Sequence, residues 1–77
     1  MKISGTRSTI IFNMEDGHIM YANGELLLNK SFVVDKKTMQ SWEPPYENEI
    51  VTIETVNNII QEVENMSDHD TMKIIFL

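Results

Sequence analysis

Seventy-seven residues suffice for one domain, 1–77, and a chain this short buries only about 60% of its unfolded surface, which leaves little room for a closed catalytic cleft. The absence of cysteine rules out disulfides and thiolate metal ligands; residues 1–8 lack the apolar core of a signal peptide, and no stretch nears the roughly 18 apolar residues of a membrane span, so a cytoplasmic location is expected. The net charge of −6 is uneven, five cations against four anions up to Trp42 but Lys73 alone against eight anions from Glu43 onward, which argues against direct nucleic-acid or anionic-membrane binding and favours a basic protein partner.

In chain order, the first half reads as a β-meander. Asp16-Gly17 and Asn23-Gly24 are favoured pairs for two-residue type I′ turns, whose central residues both need positive φ. Centred on those pairs, Met14 faces Ile19, Phe12 faces Tyr21, Tyr21 faces Leu26 and Ile19 faces Leu28. The two registers agree. They put Ile10, Phe12, Met14, Ile19, Tyr21, Leu26 and Leu28 on a core face, and Asn13, Glu15, His18 and Ala22 with Ile11, Met20 and Leu27 on the other. Residues 31–35 form a further β-rich run, followed by a turn at Asp35-Lys36-Lys37 and a short extended piece ending at Trp42. Pro44-Pro45 forbids helix in the residues before it and predicts a stiff extended loop over residues 42–49.

One helix follows. Ile53, Val56, Ile59, Ile60, Val63 and Met66 recur at three- and four-residue steps, while glutamates, asparagines and Gln61 take the remaining arc. Thr52 is the expected N-cap, and Glu54 in the first turn suits the helix dipole. Residues 67–70 break the pattern, and residues 71–77 are apolar enough to predict a terminal strand inside the sheet. The expected fold class is α+β: a small antiparallel meander, one amphipathic helix packed on one face and a C-terminal strand.

A search for reaction chemistry finds little. His18 and His69 lie far apart and neither has a partner at metal-ligand spacing; Asp68-His69-Asp70 are loop neighbours poorly oriented for proton transfer; Gly5, Gly17 and Gly24 stand singly, so no phosphate-cradling loop exists. No catalytic residue, metal or cofactor is expected. Met14 and Met66 fall on core faces as gap-fillers, leaving Met20 and Met39 as the suggestive methionines. The most specific segment is Trp42-Glu43-Pro44-Pro45-Tyr46-Glu47-Asn48-Glu49, which sets two aromatics beside a diproline and three carboxylates. Such a loop loses little entropy on binding and offers both anchors and charge. Trp42 serves equally well as a plug of the sheet edge, so the candidate contact residues are Glu43, Tyr46, Glu47 and Glu49, with Glu54 on the adjoining helix.

Taken together, the Glu15-Asp16-Gly17 hairpin, the Trp42-Glu43-Pro44-Pro45-Tyr46 segment, the acidic linker, the helix started by Thr52 and the terminal strand resemble small immunity proteins of bacterial polymorphic toxin systems. The immunity protein 74 family is the one the chain resembles, from about Thr9 onward, with Trp42 to Tyr46 as the specific part. The resemblance implies an antitoxin that binds a cognate toxin domain and blocks its active site. Toxins of this kind are often basic nucleases, which would account for the acidic half. The alternative is a small acidic adaptor or inhibitor of another basic protein.

Overall fold

A computed structural model of the chain describes residues 1–66 and 73–77. Its elements are β1 (Lys2–Gly5), β2 (Thr9–Asn13), β3 (Ile19–Leu26), β4 (Ser31–Val34), a 3-10 turn (Lys36–Thr38), α1 (Ile53–Met66) and β5 (Lys73–Phe76). The five strands form one sheet in the order β1-β2-β3-β4-β5. The pairs from β1 to β4 are antiparallel and β5 joins β4 in parallel. The fold is α+β, as the sequence patterns indicate. Within it, β1 is a strand the sequence does not announce, because only Ile3 of its four residues is even partly buried.

The hairpin registers differ from the expected ones. Asn13 faces Ile19, Phe12 faces Met20 and Ile11 faces Tyr21, one residue away from the pairing that a two-residue Asp16-Gly17 turn demands. Three residues, not two, bridge Met14 and His18, whose backbone groups bond at 2.9 Å. The reason is local: the Asn13 side chain accepts from the Glu15 amide at 2.8 Å and the Asp16 side chain accepts from the His18 amide at 3.0 Å. These two side-chain turns hold Glu15 and Gly17 at positive φ and outcompete the tighter loop.

A slip of one residue exchanges the faces of β3. Met20 and Ala22 are buried while Tyr21 is 49% exposed, the reverse of the expected arrangement; Ile10 and Phe12 on β2 point inward as expected. The second turn is also displaced. β3 runs straight through Asn23-Gly24, and the chain reverses after Leu26, with the Leu27 amide bonded to the Ser31 carbonyl at 2.7 Å and Lys30 at positive φ. Leu28, expected in the core, sits fully exposed in that turn. Gly24 serves a different purpose from a turn: a Cβ there would lie 2.1 Å from the Val33 carbonyl oxygen and 2.5 Å from the Phe32 ring. Only glycine permits so close an approach of β4 where β3 turns from pairing β2 to pairing β4.

Helix α1 follows its stripe in the middle only: Ile53 and Met66 at its two ends, expected on the core face, are exposed, whereas Met20 and Met39, the methionines suggestive of a binding surface, are buried in the core. Thr52 caps the helix, its hydroxyl accepting from the Thr55 amide at 3.2 Å, and Ile59 and Val63 are buried against the inner sheet face. The core joins them to Phe12, Met20, Phe32 and Val34, with Met39 and Trp42 closing one end. Phe76 of β5 stacks on Phe12 with ring centroids 6.1 Å apart. Strand β5 lies at the sheet edge, not inside it, since it pairs with β4 alone. Its apolar density is explained by Ile74 and Phe76 packing against the core. Residues 68–70, read above as a loop, fall outside the described residues.

Candidate functional site

Segment 42–49 is folded, not extended. The Tyr46 amide bonds the Glu43 carbonyl at 3.1 Å and the Glu49 amide bonds the Tyr46 carbonyl at 3.0 Å, giving two consecutive turns. They bring the loop back onto the β2–β3 hairpin, where the Glu43 amide donates to the Ile19 carbonyl at 2.8 Å. Trp42 is 8% exposed and belongs to the core, so it anchors the loop from beneath.

His18 stands at the meeting point. Its ring stacks on Tyr46 with centroids 3.8 Å apart and planes 17° from parallel, and meets Trp42 edge-on at 4.9 Å. Its Nε2 lies 2.6 Å from Glu49 Oε2 and its Nδ1 lies 3.1 Å from Asp16 Oδ1. The bond to Glu49, with help from Asp16, raises the His18 pKa against the opposing effect of partial burial. The His18 amide and then its ring lower the pKa of Asp16. Tyr46 also covers Gly17, where a Cβ would come within 3.2 Å of the phenol ring. The hairpin loop favours glycine there for its φ of 100°, and the tight approach of Tyr46 leaves little space for a side chain.

Of the residues singled out from the sequence, Tyr46 and Glu49 join this cluster through their side chains, and Glu43 is tied to the hairpin through its backbone amide. Glu47 is exposed on the same loop, and Glu54 stands exposed in the first turn of α1. Beside the cluster opens a recess of about 420 Å³, lined by Asp16, His18, Trp42 and Glu49 on one side and by Thr55, Asn58 and Glu62 of α1 on the other. Sequence reasoning missed His18 and Asp16. The one available signal was local, an aspartate two residues before a histidine in a turn; the contact with Glu49 spans 31 positions and has no signature in the chain. Among the described residues no group of three potential metal ligands occurs, and no helix is long and apolar enough to cross a membrane.

The model of the family described as Immunity protein 74 matches residues 2–77, nearly the whole chain. The chain belongs to the immunity protein 74 family. Membership implies a protective protein with a toxin as its partner. No curated protein matches the chain, and neither does any solved structure. In this immunity protein 74 member the Trp42 to Tyr46 segment, which carries the resemblance in sequence, is the segment that folds over His18.

Proposed function

We propose that the chain is a cytoplasmic antitoxin that neutralises its cognate toxin domain by stoichiometric binding, the acidic loop of residues 42–49 meeting a basic surface at the toxin's active site. The observation that carries this reading is the convergence of Glu43, Tyr46, Glu47 and Glu49 on a loop held by Trp42 and His18, within a family of immunity proteins. A loop already ordered before contact loses little entropy on binding, and its unpaired carboxylates speed encounter with an oppositely charged partner. The sign of that charge favours a nuclease as the toxin, because a nuclease active site is built to receive polyanions. On this reading the chain turns nothing over and binds no nucleic acid, membrane or cofactor.

The test is co-expression with the toxin domain encoded beside it. A one-to-one complex that abolishes the toxin's activity is expected, with Glu47→Lys slowing association and reducing its salt dependence while the fold stays intact. Glu49 is a poor probe of charge alone, since reversing it also breaks the contact with His18. Full protection by Glu43, Tyr46 and Glu47 variants that remain folded would move the interface elsewhere, first to the α1 face with Glu54, Glu62 and Glu64.

A further inference from the structure

His18 faces two acceptors. Carboxylate oxygens only accept hydrogen bonds, and a neutral imidazole carries one N–H, so it satisfies either Glu49 at 2.6 Å or Asp16 at 3.1 Å and sets a lone pair against the other. The imidazolium has two N–H groups and satisfies both. Its surroundings favour the same form: Glu62 of α1 lines the same recess, the electron-rich face of Tyr46 lies parallel to the ring, and no lysine or arginine lines the recess among the described residues. Glu15, the remaining acid of the hairpin loop, is occupied by the Met1 amine at 3.6 Å and Lys2 at 3.9 Å. The His18–Glu49 contact is also, among the described residues, the one side-chain to side-chain hydrogen bond between segments distant in sequence.

We propose that His18, held as an imidazolium, is a positioning residue that latches the acidic loop onto the β2–β3 hairpin, so that the loop is held tightly in neutral and mildly acidic conditions and loosened in alkaline ones. The consequence for a partner rests on the loop being the binding surface, as proposed above; the latch itself belongs to the free protein. Loss of the proton leaves one of the two carboxylates facing a ring lone pair and removes the cation from the Tyr46 face. The loop then keeps its Trp42 anchor and the Glu43 amide bond, but its tie at Glu49 loses its charge assistance and competes with Asp16 for a single N–H.

The latch is tested on the free protein by following the ring resonances of His18 and Tyr46 by NMR from pH 5 to 9, with His69→Asn to assign the two histidines. The expected result is a His18 midpoint above the ordinary imidazole value of about 6.5, Tyr46 signals moving with the same midpoint, and a lower midpoint in Glu49→Gln. Amide protection of residues 43–49, corrected for intrinsic exchange, should fall across that midpoint in the parent and stay uniformly low in His18→Gln. A midpoint at or below 6.5, or Tyr46 signals indifferent to it, overturns the proposal. With the adjacent-encoded toxin domain as probe, dissociation should quicken on the order of fivefold from pH 6 to pH 8.5 in the parent and remain constant in His18→Gln. Equal rates in the parent at both pH values overturn the regulatory part. Absence of any complex, with the NMR titration as described, refutes the toxin-binding reading and supports the latch.

Discussion

Replacing Met20 and, separately, Tyr21 by alanine tests the register of β3 directly, because the two neighbours lie on opposite faces. Met20 is fully buried beneath α1 in a cluster with Phe12, Val34 and Ile59. Met20→Ala removes three heavy atoms from that cluster, about 2.4 kcal/mol of transfer free energy at roughly 0.8 per methylene-sized group. The cavity left behind adds to it and brings the total into a range of about 2–5 kcal/mol. Tyr21, half exposed and opposite Ile11, contributes a cross-strand pair worth about 0.2–1 kcal/mol. At 4–8 °C per kcal/mol for a domain of this size, Met20→Ala should lower Tm by roughly 10 °C or more and Tyr21→Ala by less than about 8 °C. Thermal and urea unfolding monitored by circular dichroism measure both, with an unchanged m-value required for the comparison. An equal or larger loss in Tyr21→Ala would refute the register and restore the two-residue turn at Asp16-Gly17.

Other consequences are open to measurement. Gly24→Ala forces a Cβ into the Val33 carbonyl, and because the obstacle is backbone the variant should fail to accumulate as a folded protein, which soluble expression and heteronuclear NMR would reveal. Thr52→Ala should cost about 1 kcal/mol through loss of the N-cap, read as a drop in urea midpoint. Stability should also follow pH in two windows. His18 has a raised pKa when folded, so its contribution is complete below its ordinary value of 6.5 and is lost as pH rises through the folded value; Asp16 has a lowered pKa, so its contribution is present above 3.8 and is lost as pH falls through the folded value. Melting curves of the parent and His18→Gln should therefore converge in alkali; a constant separation from pH 5 to 9 would exclude the linkage. Tyr46→Ala should speed dissociation from the toxin domain, costing on the order of 2 kcal/mol if the ring is an anchor, as surface plasmon resonance would show.

Long-period patterns survived folding and short-range turn signals did not. The α1 stripe was legible because burial of Ile59 and Val63 and the Thr52 cap depend on one segment and one neighbouring face. The meander was legible as a class but not in register, since Asp16-Gly17 and Asn23-Gly24 look alike in sequence while their roles are decided by partners elsewhere: the side chains of Asn13 and Asp16 in one case, the backbone of Val33 in the other. The site shows the same division. Tyr46 and the glutamates stood out as a composition within eight residues. Their organiser, His18, belongs to the β2–β3 hairpin, and its tie to Glu49 spans 31 positions with no signature in the chain.

The parallel pairing of β5 with β4 bears on how the chain folds. Ser31 must find Lys73, and Val34 must find Phe76, across the whole excursion through the acidic loop and α1. The three antiparallel pairs close over short connections, so the meander can assemble while this ladder is still open. During that interval β4 offers Ser31, Phe32, Val33 and Val34 as an unpaired edge, the kind of template on which chains associate wrongly. From Glu43 onward, the segment still to be docked carries one cation against eight anions, and like charge of that size opposes association of such intermediates. The carboxylates proposed above to meet a basic partner should therefore also oppose self-association of the folding chain, so that aggregation during refolding increases with salt.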